Sequence, residues 1–172
     1  MLLYGHSLGT AVVSATADHY TASGTEFAGL LLVASFSDLP TMLSGYRISG
    51  YVPVLSPFWF SKALLTWIQG FIWEKWPTAE RVGRIVRNTR GRLRLSLVHA
   101  RDDWDIPCAE SGKVFRAAAN AIVHDELDDA TFESWREVRT VKRGERGFVT
   151  TWKGEGEGDV VLRHEQFPLG GM

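Results

Sequence analysis

The sequence predicts an α/β fold built on a mainly parallel sheet, and two observations carry that expectation. Short apolar runs alternate with helical stretches along most of the chain. One of these runs, "FAGLLLVASF" at 27–36, is apolar without interruption, the pattern of a central parallel strand covered on both faces.

Taken in order, "MLLY" is the tail of a buried strand ending at Gly5. "LGTAVVSATADHYTAS", 8–23, reads as a helix of small residues closed by Gly24. The strand at 27–36 follows, and then the chain becomes aromatic and proline-rich from Pro40 before the helical "TAERVGRIVRNTR". "RLRLSLVHA", 92–100, alternates and then turns apolar, as a strand does. "RDDWDIP" is a polar loop, and 109–123 is a helix with Val114, Ala118 and Ile122 on one face. About 124–158 is charged and punctuated by glycine, which predicts a surface insertion. "VVLRHEQFP", 160–168, is a strand again.

The 172 residues suffice for a single domain, 1–172, with its own core. A formal net charge of −1 excludes the basic footprint of a nucleic-acid binder. Cys108 is the single cysteine and can form no internal disulfide. The first 20 residues lack the basic leader of a signal peptide, and the longest apolar stretch, 51–73, is broken by Pro53, Pro57 and Lys62, which argues against a spanning helix.

Gly5-His6-Ser7-Leu8-Gly9 fits G-x-S-x-G, with an apolar strand before it and a helix after it. A turn that tight leaves little room for side chains on either side of the serine, and it lifts the hydroxyl over the end of the sheet. The helix beginning at Leu8 points its N-terminal dipole, and the Leu8 N–H, at any oxyanion that develops there. Ser7 is thus the candidate nucleophile, and it needs a base. His6 adjoins it, but adjacent side chains at such a turn diverge, so a packed or hydrogen-bonded role suits His6 better. An acid is expected after the serine, and "LVHARDDWDIP" is the place where a strand ends in an acidic cluster, at the same sheet edge as Ser7.

"YGHSLG" followed by "HARDDWDIP" resembles the α/β-hydrolase superfamily, in which the second motif takes the form H-G-x-x-D-x-x-V-P. His99, Asp103, Ile106 and Pro107 match that form, and Ala100 stands where the family has glycine. The resemblance places Asp103 as the triad acid, with Asp102 and Asp105 as loop-shaping or solvated carboxylates. Together with "GYRISGYVPVLSPFWF" and "EQFPLGG", the chain is similar to membrane-associated serine hydrolases that cleave lysophosphatidylserine and monoacylglycerols. That similarity implies the C-terminal part of an α/β-hydrolase fold, with helices on both faces of the sheet and a helical lid insertion at about 40–77.

It further implies a lipid ester as substrate, no cofactor or metal, contact with a membrane surface, and residence at the endoplasmic reticulum membrane. In the superfamily the nucleophile follows the fifth strand and the triad histidine follows the last in a G-G-H-N or G-x-H segment. The chain is therefore expected to be truncated at both ends, with His164 the nearest substitute for that histidine, although it lies within the strand about eight residues before the expected position, where a packed or solvated role suits it better. In the lid, Leu64, Trp67, Ile68, Phe71 and Ile72 recur at helical spacing, which suits either a substrate- or membrane-facing helix or one packed on the core. Two functions follow: a serine esterase or lipase working through an acyl-enzyme, or a catalytically inactive fragment or pseudoenzyme that binds lipid or a partner.

Overall fold

A computed structural model describes residues 1–45, 47, 48, 52, 53, 75–145, 147–154 and 158–168. The first strand, β1 (Leu2–His6), leads into α1 (Leu8–Ala22), then β2 (Gly29–Val33) and the short α2 (Leu39–Gly45). Two-residue strands β3 (Arg47–Ile48) and β4 (Val52–Pro53) pair with each other. The remaining elements are α3 (Thr78–Asn88), β5 (Arg92–Ala100), α4 (Ala109–Val123), α5 (Asp129–Val138), β6 (Thr140–Arg143), β7 (Gly147–Lys153) and β8 (Asp159–Phe167).

Six strands form one mixed sheet in the order β1-β2-β5-β8-β7-β6. The first four are parallel, and β7 and β6 add antiparallel to the edge of β8. The fold is α/β with a mostly parallel sheet. The lid residues Trp67, Ile68 and Phe71 lie outside the described residues, as does most of the segment that was to carry the lid. No helix among the described residues is long and apolar enough to cross a membrane.

Helices are expected on both faces, and α1, α3, α4 and α5 pack on one face in a single layer. The strand order moves steadily away from β1, so right-handed crossovers set α1, α3 and α4 down on the same side. Leu30, Leu32, Leu93, Leu95, Leu97 and Leu162 point into this layer and meet Val82, Ile85, Val114 and Phe115 in a single core. Alternate positions on the other face, such as Leu31, Val33, Ser96, Val98 and Val161, are half-buried. The polar Arg92, Arg94 and Ser96 alternating with leucines in β5 are the sequence counterpart of that asymmetry.

A second correction concerns 124–158, expected as a surface insertion. It supplies α5, β6 and β7, and so completes the sheet. Phe132 and Trp152 from this segment are buried and stack on each other at 6.2 Å between ring centroids, with Phe115 of α4 6.4 Å from each. Its charges sit on the outer faces of one helix and one edge hairpin, while a few aromatics carry the burial.

Candidate active site

The parallel strands bring the ends of β1, β2 and β5 to one edge. Backbone bonds continue the ladder past the strand ends: Ser7 N–H donates to the Val33 carbonyl and Ala34 N–H to the Val98 carbonyl, each at 2.9 Å. Ser7 follows β1, and Asp103 lies in the loop after β5, with β2 between them. The structure thus brings both sequence-predicted residues to the carboxyl edge.

Ser7 has φ 52° and ψ −125°, a conformation that side chains rarely adopt and that costs on the order of 1–3 kcal/mol. Its surroundings hold it there. The Ser7 carbonyl accepts from Thr10 N–H at 2.9 Å and from the Thr10 hydroxyl at 2.7 Å. The Ser7 hydroxyl makes no capping bond to α1, although the residue occupies the cap position. The first N–H groups of α1, those of Leu8 and Gly9, have no carbonyl within their own helix to bond. Hence the turn presents a hydroxyl and helix N–H donors at the same point.

The two glycines of the motif differ in why they are there. A Cβ on Gly5 would lie 2.7 Å from the Gly9 carbonyl oxygen and 2.9 Å from Thr10 Cα, so strand and helix could not approach as they do. A Cβ on Gly9 would meet nothing within 4 Å. Room for a side chain is therefore denied at Gly5 alone.

Asp103 is held by its own loop. One carboxylate oxygen accepts from Asp105 N–H at 3.0 Å and Ile106 N–H at 2.9 Å, an Asx-type turn, and the other lies 3.4 Å from His99 Nε2. His99 Nε2–H donates to the Ile106 carbonyl at 2.9 Å, which fixes its tautomer, and its Nδ1 is buried without a partner. Burial opposes the charge on Asp103, whose side chain is 9% exposed, but the bond with His99 and those from the backbone outweigh it. The carboxyl is held below its ordinary value. Asp105 is exposed and Asp102 half-buried, and it is the Asp103 carboxylate that accepts from the backbone of Asp105 and Ile106.

His164 is not at this edge. It lies on the buried face of β8, stacked on Phe115 at 5.3 Å and edge-on to Phe148 at 5.2 Å. Its Nε2 is 3.1 Å from the Ser111 hydroxyl, which itself donates to the Cys108 carbonyl at 2.8 Å. With that proton committed, Nε2–H donates to Ser111 and Nδ1 is left bare and buried. Burial, then the nearby Arg136 and His99, push its pKa down to about 3. It lies within the strand, as its sequence context implies, and its side of the strand faces the core. His6 is exposed at the end of β1. Among the described residues no histidine is hydrogen-bonded to Ser7, and no cluster of three or more His, Cys, Asp or Glu could hold a metal.

Two parts of the site were not anticipated. Glu110, in the first turn of α4 and 5% exposed, accepts from both the N–H and the hydroxyl of Ser37, at 3.1 and 2.5 Å, with Lys113 bonded to its other oxygen. This ties the loop after β2 to the helix that follows the acid loop. A small apolar cluster of Ala11, Phe36, Met42 and Ile106 does the same from α1 across to the acid loop. The periodic burial of β5 marks His99, the next inward position after Leu93, Leu95 and Leu97. An acidic first turn is the only sequence trace of Glu110. Compared with family models, curated proteins and solved structures, the chain matches none.

Proposed function

We propose that this chain carries the nucleophile and acid of an α/β-hydrolase-type serine hydrolase that cleaves carboxylic esters of lipids, such as monoacylglycerols or lysophospholipids. The observation that carries the reading is Ser7 itself. A non-glycine residue is kept at φ 52° on a strand-to-helix turn, its hydroxyl not spent on capping, with an ionised, loop-fixed Asp103 two strands away on the same edge.

In this reading Ser7 Oγ attacks the ester carbonyl carbon and gives its proton to a base. The oxygen that becomes negative takes a hydrogen bond from Leu8 N–H, a donation worth about 100 to 1000-fold in rate for a typical donor of this kind. The alcohol leaves with a proton from the base, and water then hydrolyses the acyl ester on Ser7. Asp103 orients the base. A lipid rather than a small polar ester is favoured by the apolar side chains left open at the strand ends: Trp104 is 71% exposed, Leu8 50% and Phe167 44%. Contact with a membrane surface, at the endoplasmic reticulum, belongs to the same proposal.

A second reading has its own observation. Asp103 engages His99 and the loop backbone, and His164 is locked beside Ser111, so the described histidines leave Ser7 without a base. That favours a catalytically inactive fragment or pseudoenzyme serving as a lipid- or partner-binding module. Labelling with a fluorophosphonate probe separates the two. Ser7 is expected to label in folded protein and Ser7→Ala to remain blank; folded protein that does not label leaves the binding module as the reading.

A further inference from the structure

We propose that a groove at the opposite end of the sheet from Ser7 binds a small amphipathic carboxylate, an alkyl or aryl chain with one anionic head. The groove lies where α4 and α5 end beside the last residues of β7, next to the amino end of β8. Its volume is about 330 Å3, at the small end of ligand sites, and its walls are Ile122, Val123, His124, Trp135, Arg139, Trp152 and Lys153.

The chemistry of the walls is divided in two. Ile122, Val123 and the two indoles give apolar surface, and Trp135 is 39% exposed, so that surface is open to a ligand. Arg139 and Lys153 give fixed positive charge, His124 is exposed at the end of α4, and among the described residues no carboxylate lines the groove. Arg139 is seated before any ligand arrives. Its guanidinium lies 4.7 Å from the Trp152 ring centroid and 5.8 Å from that of Trp135, and it donates to the Trp135 carbonyl at 3.0 Å. A guanidinium has five N–H donors, so most are left for an anion, in a plane suited to a carboxylate. Among the described residues neither Arg139 nor Lys153 forms a close ion pair with Asp or Glu, and the Asp159 carboxylate, which the Lys153 charge helps to hold low, is bonded to Arg94. A neutral apolar molecule would leave this charge unused, and a bare inorganic anion would leave the indoles unused. The amphipathic carboxylate satisfies both halves.

Isothermal titration calorimetry of the full chain with octanoate, octan-1-ol and acetate tests this. Octanoate is expected to bind, with the alcohol and acetate each at least about tenfold weaker, since each lacks one half of the match. Lys153→Gln and Arg139→Gln, checked for folding by circular dichroism, are each expected to weaken octanoate about tenfold through loss of a charge-assisted contact. The exposed Lys153 makes the first of these a test that does not depend on the core. Ser7→Ala protein is expected to bind octanoate unchanged, which separates this site from the hydrolytic one. No heat with octanoate, equal binding of octan-1-ol, or octanoate binding that survives both charge substitutions would overturn the proposal.

Discussion

At the scale of single residues, the pH response of this protein should be set in part by a histidine that does no chemistry. His164 has an ordinary value of 6.5 and a folded value of about 3, so between those limits the unfolded chain binds more protons. Its contribution is full above pH 6.5 and is lost as pH falls toward 3. Between pH 6.5 and 5 that loss amounts to about 2 kcal/mol. Urea unfolding at a series of pH values should show this slope in the wild type and a flatter one in His164→Phe, which keeps a ring between Phe115 and Phe148. The places of Ser7 and Asp103 at one sheet edge were legible in the sequence because each follows from a local pattern, glycine next to a turn and carboxylate next to a strand end. What His99 and Glu110 do was not, because it depends on partners or packing set by other elements: Glu110 and Ser37 lie 73 residues apart.

Between elements, the loop after β2 and the start of α4 are joined by the buried Glu110 carboxylate. Removing it leaves the Ser37 N–H and hydroxyl without that acceptor in a buried place, at a cost of about 2–3 kcal/mol. Glu110→Ala should lower the denaturation midpoint accordingly, and Glu110→Gln, which retains an acceptor, should lower it less. Lys113 is half exposed and adds little to this bond. The strands were the most legible elements, since β2 is continuously apolar and β5 alternates. The segment 124–158 was the least legible. Its helix and hairpin expose Lys142, Arg143 and Glu133 outward, and composition weighs those charges above the few buried aromatics that decide the structure.

For the molecule as a whole, Trp152 decides whether the sheet is one cooperative unit. It is 2% exposed and touches Phe115, Phe132 and Trp135. Trp152→Ala should cost about 3–5 kcal/mol, read as a single shifted transition in both far-ultraviolet circular dichroism and fluorescence. Two transitions would mean that the α5 to β7 segment unfolds apart from the rest. Such coupling rests on the position of β8, which pairs with β5 on one side and β7 on the other, though both precede it in the chain. A nascent chain on the ribosome can therefore zip β6 to β7 early, but it has nowhere to dock that hairpin. Until β8 emerges, Leu95 and Leu97 of β5 have β2 beside them on one side only, and the half of the molecule holding Ser7 waits for its other neighbour on the strand made last among the described elements.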